Sequence, residues 1–148
     1  MKIITIEEHY ADSRIIESNA KYGYPSGMAE LSGKVRAAYD GMRYTGDKLT
    51  DVDTVRFDFM KEQQVDMQVL SYTTPISDMV PPDEAVRICR QANDILAQVV
   101  QKYPERFAAF ATLPMASPDE AAQELERCVR KIRLLRCAYH GNISGKIL

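Results

Sequence analysis

Glu7 and His9 are the residues of this sequence best placed to do metal chemistry. They follow Ile3-Ile4-Thr5-Ile6, a β-branched run that reads as a short buried strand. Side chains two positions apart on a strand share a face. A carboxylate and an imidazole at the end of a parallel strand would therefore enter one pocket and offer two ligands to a divalent metal. An acidic residue near a histidine also occurs without any function, and two ligands fall short of the roughly four that zinc takes.

The other candidates are weaker. Ser71, Thr73 and Thr74 follow a second strand and could line the same mouth, although hydroxyls in such loops ordinarily satisfy the turn. No base or orienting acid is identifiable for them, so a nucleophilic serine has no support. His140 precedes Gly141-Asn142 and reads more readily as a solvated turn residue than as a pocket residue. Cys89 and Cys128 fall on apolar helix faces and read as packing residues, and three cysteines with Cys137 make no disulfide framework. Tyr22, Tyr24, Tyr39 and Tyr44 suit a lid over an aromatic substrate or an ordinary amphipathic surface equally well.

These groups must be positioned by alternating elements. Residues 10–50 form a long excursion that holds five of the seven glycines and five of the eight tyrosines, with one helix expected around Leu31 to Tyr39. Excursions of this length are uncommon in compact domains and often functional. Asp53 is a plausible N-cap for a helix through about Gln63, with Val55, Phe59 and Met60 inward. Val65 to Ser71 reads as a strand. Pro82 to Tyr103 is the clearest helix, with Ala85, Ile88, Cys89, Ala92, Ile95, Leu96, Val99 and Val100 at helical spacing before Pro104. Phe107 to Leu113 is an apolar run expected of a strand buried on both faces. Ser117-Pro118-Asp119-Glu120 has the form of a capping box. Its helix should turn Ala121, Ala122, Leu125, Cys128, Val129 and Ile132 inward, and Leu134 to His140 is a final strand candidate. Strands alternating with helices imply a parallel α/β sheet, either a small doubly wound sheet or an arc of a (β/α)8 barrel.

Composition narrows the function. The 148 residues carry 19 Lys+Arg against 21 Asp+Glu, a net charge of −2, which gives no electrostatic footprint for nucleic acid or an anionic membrane. No stretch approaches the roughly 20 apolar residues of a membrane helix. The opening residues are too short and too acidic for a signal peptide, so the cytoplasm is the expected compartment.

Several segments resemble the amidohydrolase-related decarboxylases, the group of aminocarboxymuconate semialdehyde, γ-resorcylate and dihydroxybenzoate decarboxylases. Ile6-Glu7-Glu8-His9 resembles their opening Glu-x-His strand, and Val65-Asp66-Met67-Gln68-Val69-Leu70-Ser71 their second strand. Gln91-Ala92-Asn93-Asp94-Ile95-Leu96-Ala97 is similar to their Ala-Asn-Asp helix, and Tyr103-Pro104-Glu105-Arg106-Phe107 to the lead-in of their third strand. The helix from Ala121 to Val129 also matches. The resemblance implies a partial (β/α)8 barrel of about four parallel strands, a single domain over residues 1–148. It implies zinc or manganese with Glu7 and His9 as the first two ligands, a carboxylated aromatic or unsaturated substrate, and homo-oligomers. In this family the metal polarises substrate oxygens while carbon dioxide is lost, and in hydrolytic relatives it activates water. Ser71 and Thr73 are the candidate substrate-binding hydroxyls. The family's later His and Asp ligands and its acid/base groups belong to the second half of its barrel, so an N-terminal half is expected here. Arg133-Leu134-Leu135-Arg136-Cys137 departs from the family's fourth strand, and His140 matches no family ligand. The competing expectation is a catalytically incomplete half barrel that only binds or oligomerises.

Overall fold

A computed structural model describes residues 1–22, 46–72 and 80–137. In chain order these form β1 (Ile4–Tyr10), α1 (Ser13–Ala20), α2 (Gly46–Thr50), α3 (Val55–Glu62), β2 (Met67–Tyr72), α4 (Pro82–Lys102), β3 (Phe107–Ala111), α5 (Pro118–Arg130) and β4 (Leu135–Cys137). The four strands lie in the order β1-β2-β3-β4, and each neighbouring pair is parallel. This is the expected arc of βα units. Among the described residues no helix is long and apolar enough to cross a membrane.

One face of the arc is covered by helices, and no helix among the described residues covers the other, called the open face below. Phe107, Ala109 and Ala111 of β3 are buried, while Ala108 and Phe110 between them are only half-buried. The expectation of a strand buried on both faces is therefore corrected. Apolar residues occupy both faces of β3, but helices cover only one. β1 is corrected likewise, for it runs on to Tyr10 and leaves Ile4 and Ile6 exposed on the open face, at 50% and 66%.

The covered face packs on α3, α4 and α5. Met60, Leu70, Leu96, Phe107, Ala109 and Cys128 form its centre. Phe57 stacks on Phe107 with ring centroids 5.5 Å apart, and Tyr103 meets Phe57 edge-on at 4.9 Å. A second cluster of Ile15, Ile88, Cys89, Ala92 and Ile95 seats α1 against α4. Cys89 and Cys128 are buried, as their helix positions suggested.

Four helix details differ from expectation. Thr54, not Asp53, occupies the N-cap of α3. Asp51 supplies the acceptors there, taking hydrogen bonds from the Asp53 and Thr54 amides at 3.1 and 3.0 Å and from the Thr54 hydroxyl at 2.6 Å. Asp53 instead accepts from Lys102 and Tyr103. On the same helix Val55 and Phe59 are exposed, and the inward residues are Arg56 and Met60, four apart on one face. At α5, Ser117 is the N-cap, but its side chain makes no cap hydrogen bond. Glu120 pairs with Arg90 at 3.1 Å, so the capping box does not close. Ala122 and Val129 face outward, and Glu124 takes an inward place.

Glu124 is fully buried and joins three elements. Its Oε1 accepts from Asn93 Nδ2 at 2.8 Å and from Arg127 at 2.7 Å, and Cys128 Sγ lies 3.3 Å away. Asn93 continues the chain of contacts. It donates to the Thr112 carbonyl and accepts from the Thr112 amide, both at 2.9 Å. Burial pushes the Glu124 carboxyl up, but the hydrogen bonds from Arg127, Asn93 and Cys128 outweigh it and hold the group below the ordinary glutamate range. Burial beside Glu124 pushes the Cys128 thiol up to about 12.

Two outcomes are expected. Asp51→Ala should lower the unfolding free energy by about 1 kcal/mol, the usual cost of a lost cap. Asp53→Ala should cost less in the same urea titrations, because it leaves the start of α3 intact. Glu124 titrates lower in the folded chain than in the unfolded one. Its contribution is therefore present above the unfolded value of about 4.3 and disappears as pH falls through the folded value. Glu124→Gln should be less stable than wild type at neutral pH, and the gap should narrow as pH drops below about 5. A gap independent of pH would contradict this account.

Candidate active site

Glu7 and His9 reach the open face because β1 carries an extra residue. Thr5 pairs with Gln68 and Glu8 with Leu70, so Ile6 and Glu7 together oppose the single residue Val69. Glu7 has φ 60°, in the left-handed region that a glutamate seldom enters. Together these define a β-bulge, a feature concentrated beside active sites. Its effect is to change the parity of the strand. Before it, Thr5 lies on the helix-covered side and Ile4 and Ile6 on the open side. After it, Glu8 and Tyr10 turn to the helices while Glu7 and His9 are exposed.

His9 lies directly opposite Ser71 of β2. The structure thus brings His9 and Ser71 side by side near the carboxy end of the sheet, where barrel enzymes keep their active sites. Thr73, Thr74, His140, Tyr24, Tyr39, Tyr44 and the helix expected around Leu31 to Tyr39 lie outside the described residues. Among the described residues no group of three or more His, Cys, Asp and Glu side chains could hold a metal ion. What β1 offers is a carboxylate and an imidazole, donors that suit manganese or zinc.

The covered side beneath this mouth is polar where it meets β1. Arg56 is 9% exposed, and its guanidinium donates to the His9 carbonyl at 2.8 Å and to Gln68 Oε1 at 3.1 Å. It also donates to the Asp51 carbonyl at 3.0 Å and the Leu49 carbonyl at 3.4 Å. Burial draws its pKa down, opposed by the charges of Glu8 and Asp51. Tyr10 and Tyr72 pack edge-on at 5.2 Å, and the Tyr72 hydroxyl donates to the Ala92 carbonyl at 3.3 Å. Burial, aided by Asp12, raises the Tyr10 phenol to about 12. Arg56 escaped the sequence reading, although its spacing of four from Met60 places the two on one helix face.

Comparison with known proteins matches this architecture. The amidohydrolase family model matches residues 33–146, and the chain belongs to that family. γ-Resorcylate decarboxylase of Rhodococcus jostii (strain RHA1) is 32% identical over 139 residues, covering 93% of this chain and 38% of that protein. The 2-amino-3-carboxymuconate-6-semialdehyde decarboxylase of Dictyostelium discoideum is 33% identical over 135 residues, covering 86% of this chain and 37% of that protein. Among solved structures, a dihydroxybenzoic acid decarboxylase from Polaromonas sp. JS666, with bound manganese and the inhibitor 2-nitroresorcinol, superposes with a TM-score of 0.72 at 30% identity. It is covered over 38% of its length by 93% of this chain. The fold is thus a section of the amidohydrolase (β/α)8 barrel, and the chain spans under two fifths of the relatives it matches.

Proposed function

We propose that the open mouth of this arc belongs to a divalent-metal-dependent decarboxylase acting on a carboxylated aromatic or unsaturated small molecule, with Glu7 and His9 as metal ligands. The observation that carries this reading is the bulge at Glu7, which sets an exposed carboxylate and imidazole on the face of β1 that no described helix covers. The names of the relatives favour loss of carbon dioxide over hydrolysis, and manganese in the Polaromonas enzyme favours a hard divalent ion, zinc being the other candidate.

A bound ion of this kind would supply Lewis acidity to the substrate's oxygens. The chain's own residues supply the rest. Glu7 and His9 would hold the ion at the carboxy end of β1, its remaining positions falling to water or to groups beyond the described residues. Ser71, opposite His9, offers a hydroxyl to a substrate oxygen, with Thr73 as a second on grounds of sequence. Ala108 and Phe110 put apolar surface on the same open face, which suits an aromatic ring. Self-association belongs to this reading, since Ile4, Ile6 and Leu135 are exposed, and so does a reducing cytoplasm, since Cys89 and Cys128 are buried as thiols.

Elemental analysis of the purified protein should find manganese or zinc, with the mass measured on the same sample. Carbon dioxide release from a panel of dihydroxybenzoates should fall at least about 100-fold in Glu7→Gln and in His9→Ala, the upper end for residues that merely support a ligand. Unchanged turnover in both variants would sink the reading.

A further inference from the structure

We infer that Arg56 is a positioning residue that fixes the His9 segment of β1 for metal binding, an inference that rests on the metal reading above. The geometry is specific. One guanidinium engages the His9 carbonyl, the Gln68 side chain on β2 and the Leu49 and Asp51 carbonyls before α3. The Ala11 amide donates to the same Leu49 carbonyl at 3.2 Å, so residues 9–11 and 49–51 close on one another around Arg56. Among the described residues β1 is laddered to β2. Just ahead of His9 its register shifts at a left-handed glutamate. A strand whose ladder is interrupted by a bulge is poorly defined there by the ladder alone. The tie from Arg56 removes that freedom at the peptide of the second ligand.

The chemistry of the contact argues against mere filling. A guanidinium hidden at this depth, hydrogen-bonded to carbonyl and amide oxygens, is costly to desolvate, and an apolar side chain would pack there more cheaply. What the arginine adds is direction, for its planar fork can meet several acceptors at fixed angles and a lysine cannot. Metal ligands are commonly oriented by such partners, and losing one weakens metal binding by about 10- to 100-fold.

The test is titration of the full chain with Mn2+, following the electron paramagnetic resonance of the free ion, a readout that does not require activity. Arg56→Met should raise the Mn2+ dissociation constant at least about 10-fold. Arg56→Lys, which keeps the charge but not the fork, should fall between it and wild type. It serves as the probe if the methionine variant does not fold. Leu96→Ala removes a buried core side chain of α4 and controls for lost stability, and it should bind within about threefold of wild type even where it melts lower than Arg56→Lys. Wild-type affinity in both Arg56 variants, with binding still abolished by Glu7→Gln, would overturn the inference and leave the metal reading standing. An equal loss in Leu96→Ala would also overturn it. Failure of the wild-type chain to bind Mn2+, or binding indifferent to Glu7→Gln and His9→Ala, would overturn the metal reading and the inference with it.

Discussion

A β-strand can serve two environments only by alternation, and β1 has to break alternation to serve both of its own. Toward the helices it gives Thr5, Glu8 and Tyr10, with Tyr10 buried against Tyr72. Toward the open face it gives Ile4, Ile6, Glu7 and His9. No unbroken strand can hold Thr5 and Glu8 on one side, because they are three apart. The extra residue at Glu7 resolves this, at the cost of about 1–2 kcal/mol for a left-handed non-glycine. Retaining such a residue in a short strand makes sense where the faces on either side of it matter. Here one face is the core and the other carries the candidate ligands.

Much of the fold was legible because its signals are long or redundant. α4 shows the apolar spacing of a helix over 21 residues and ends where Pro104 requires. The alternation of strands and helices survives errors of a residue or two at each boundary. The errors fall where a local signal has a competitor. Asp53 looks like a cap, but Asp51 reaches the same amides, and Lys102 and Tyr103 occupy Asp53. Ser117 and Glu120 are correctly spaced for a reciprocal cap, but Arg90 on α4 takes Glu120. β3 is apolar throughout, and composition alone does not say that helices cover just one of its faces.

The candidate site was partly legible for the same reason. Glu7 and His9 are two apart, which suffices to place them on one face whether or not a bulge precedes them. That the face is the open one depends on parity relative to Ile4 and Ile6, and that was hidden in a backbone angle. Arg56 and Glu124 were invisible as inward residues because charge argues for the surface. Both are buried with the help of partners distant in sequence: His9 and Gln68 for the one, Asn93 for the other.

The two ends of the sheet differ in their mix of contacts. At the amino end Phe57 stacks on Phe107 and Tyr103 meets both rings edge-on, beside hydrogen bonds from the Ile3 amide to Asp66 and from Arg106 to the Val65 carbonyl. At the carboxy end the ties run from side chain to backbone. Arg56 holds the His9 carbonyl, Asn93 holds both polar groups of Thr112, and Tyr72 holds the Ala92 carbonyl. Hydrogen bonds weaken steeply with misalignment, so these contacts specify backbone position in a way that rings do not. A metal ligand must be placed to within a fraction of an ångström, and a hydrophobic core alone does not set that tolerance. The bond from Arg56 to the His9 carbonyl supplies such direction at the peptide of a candidate ligand.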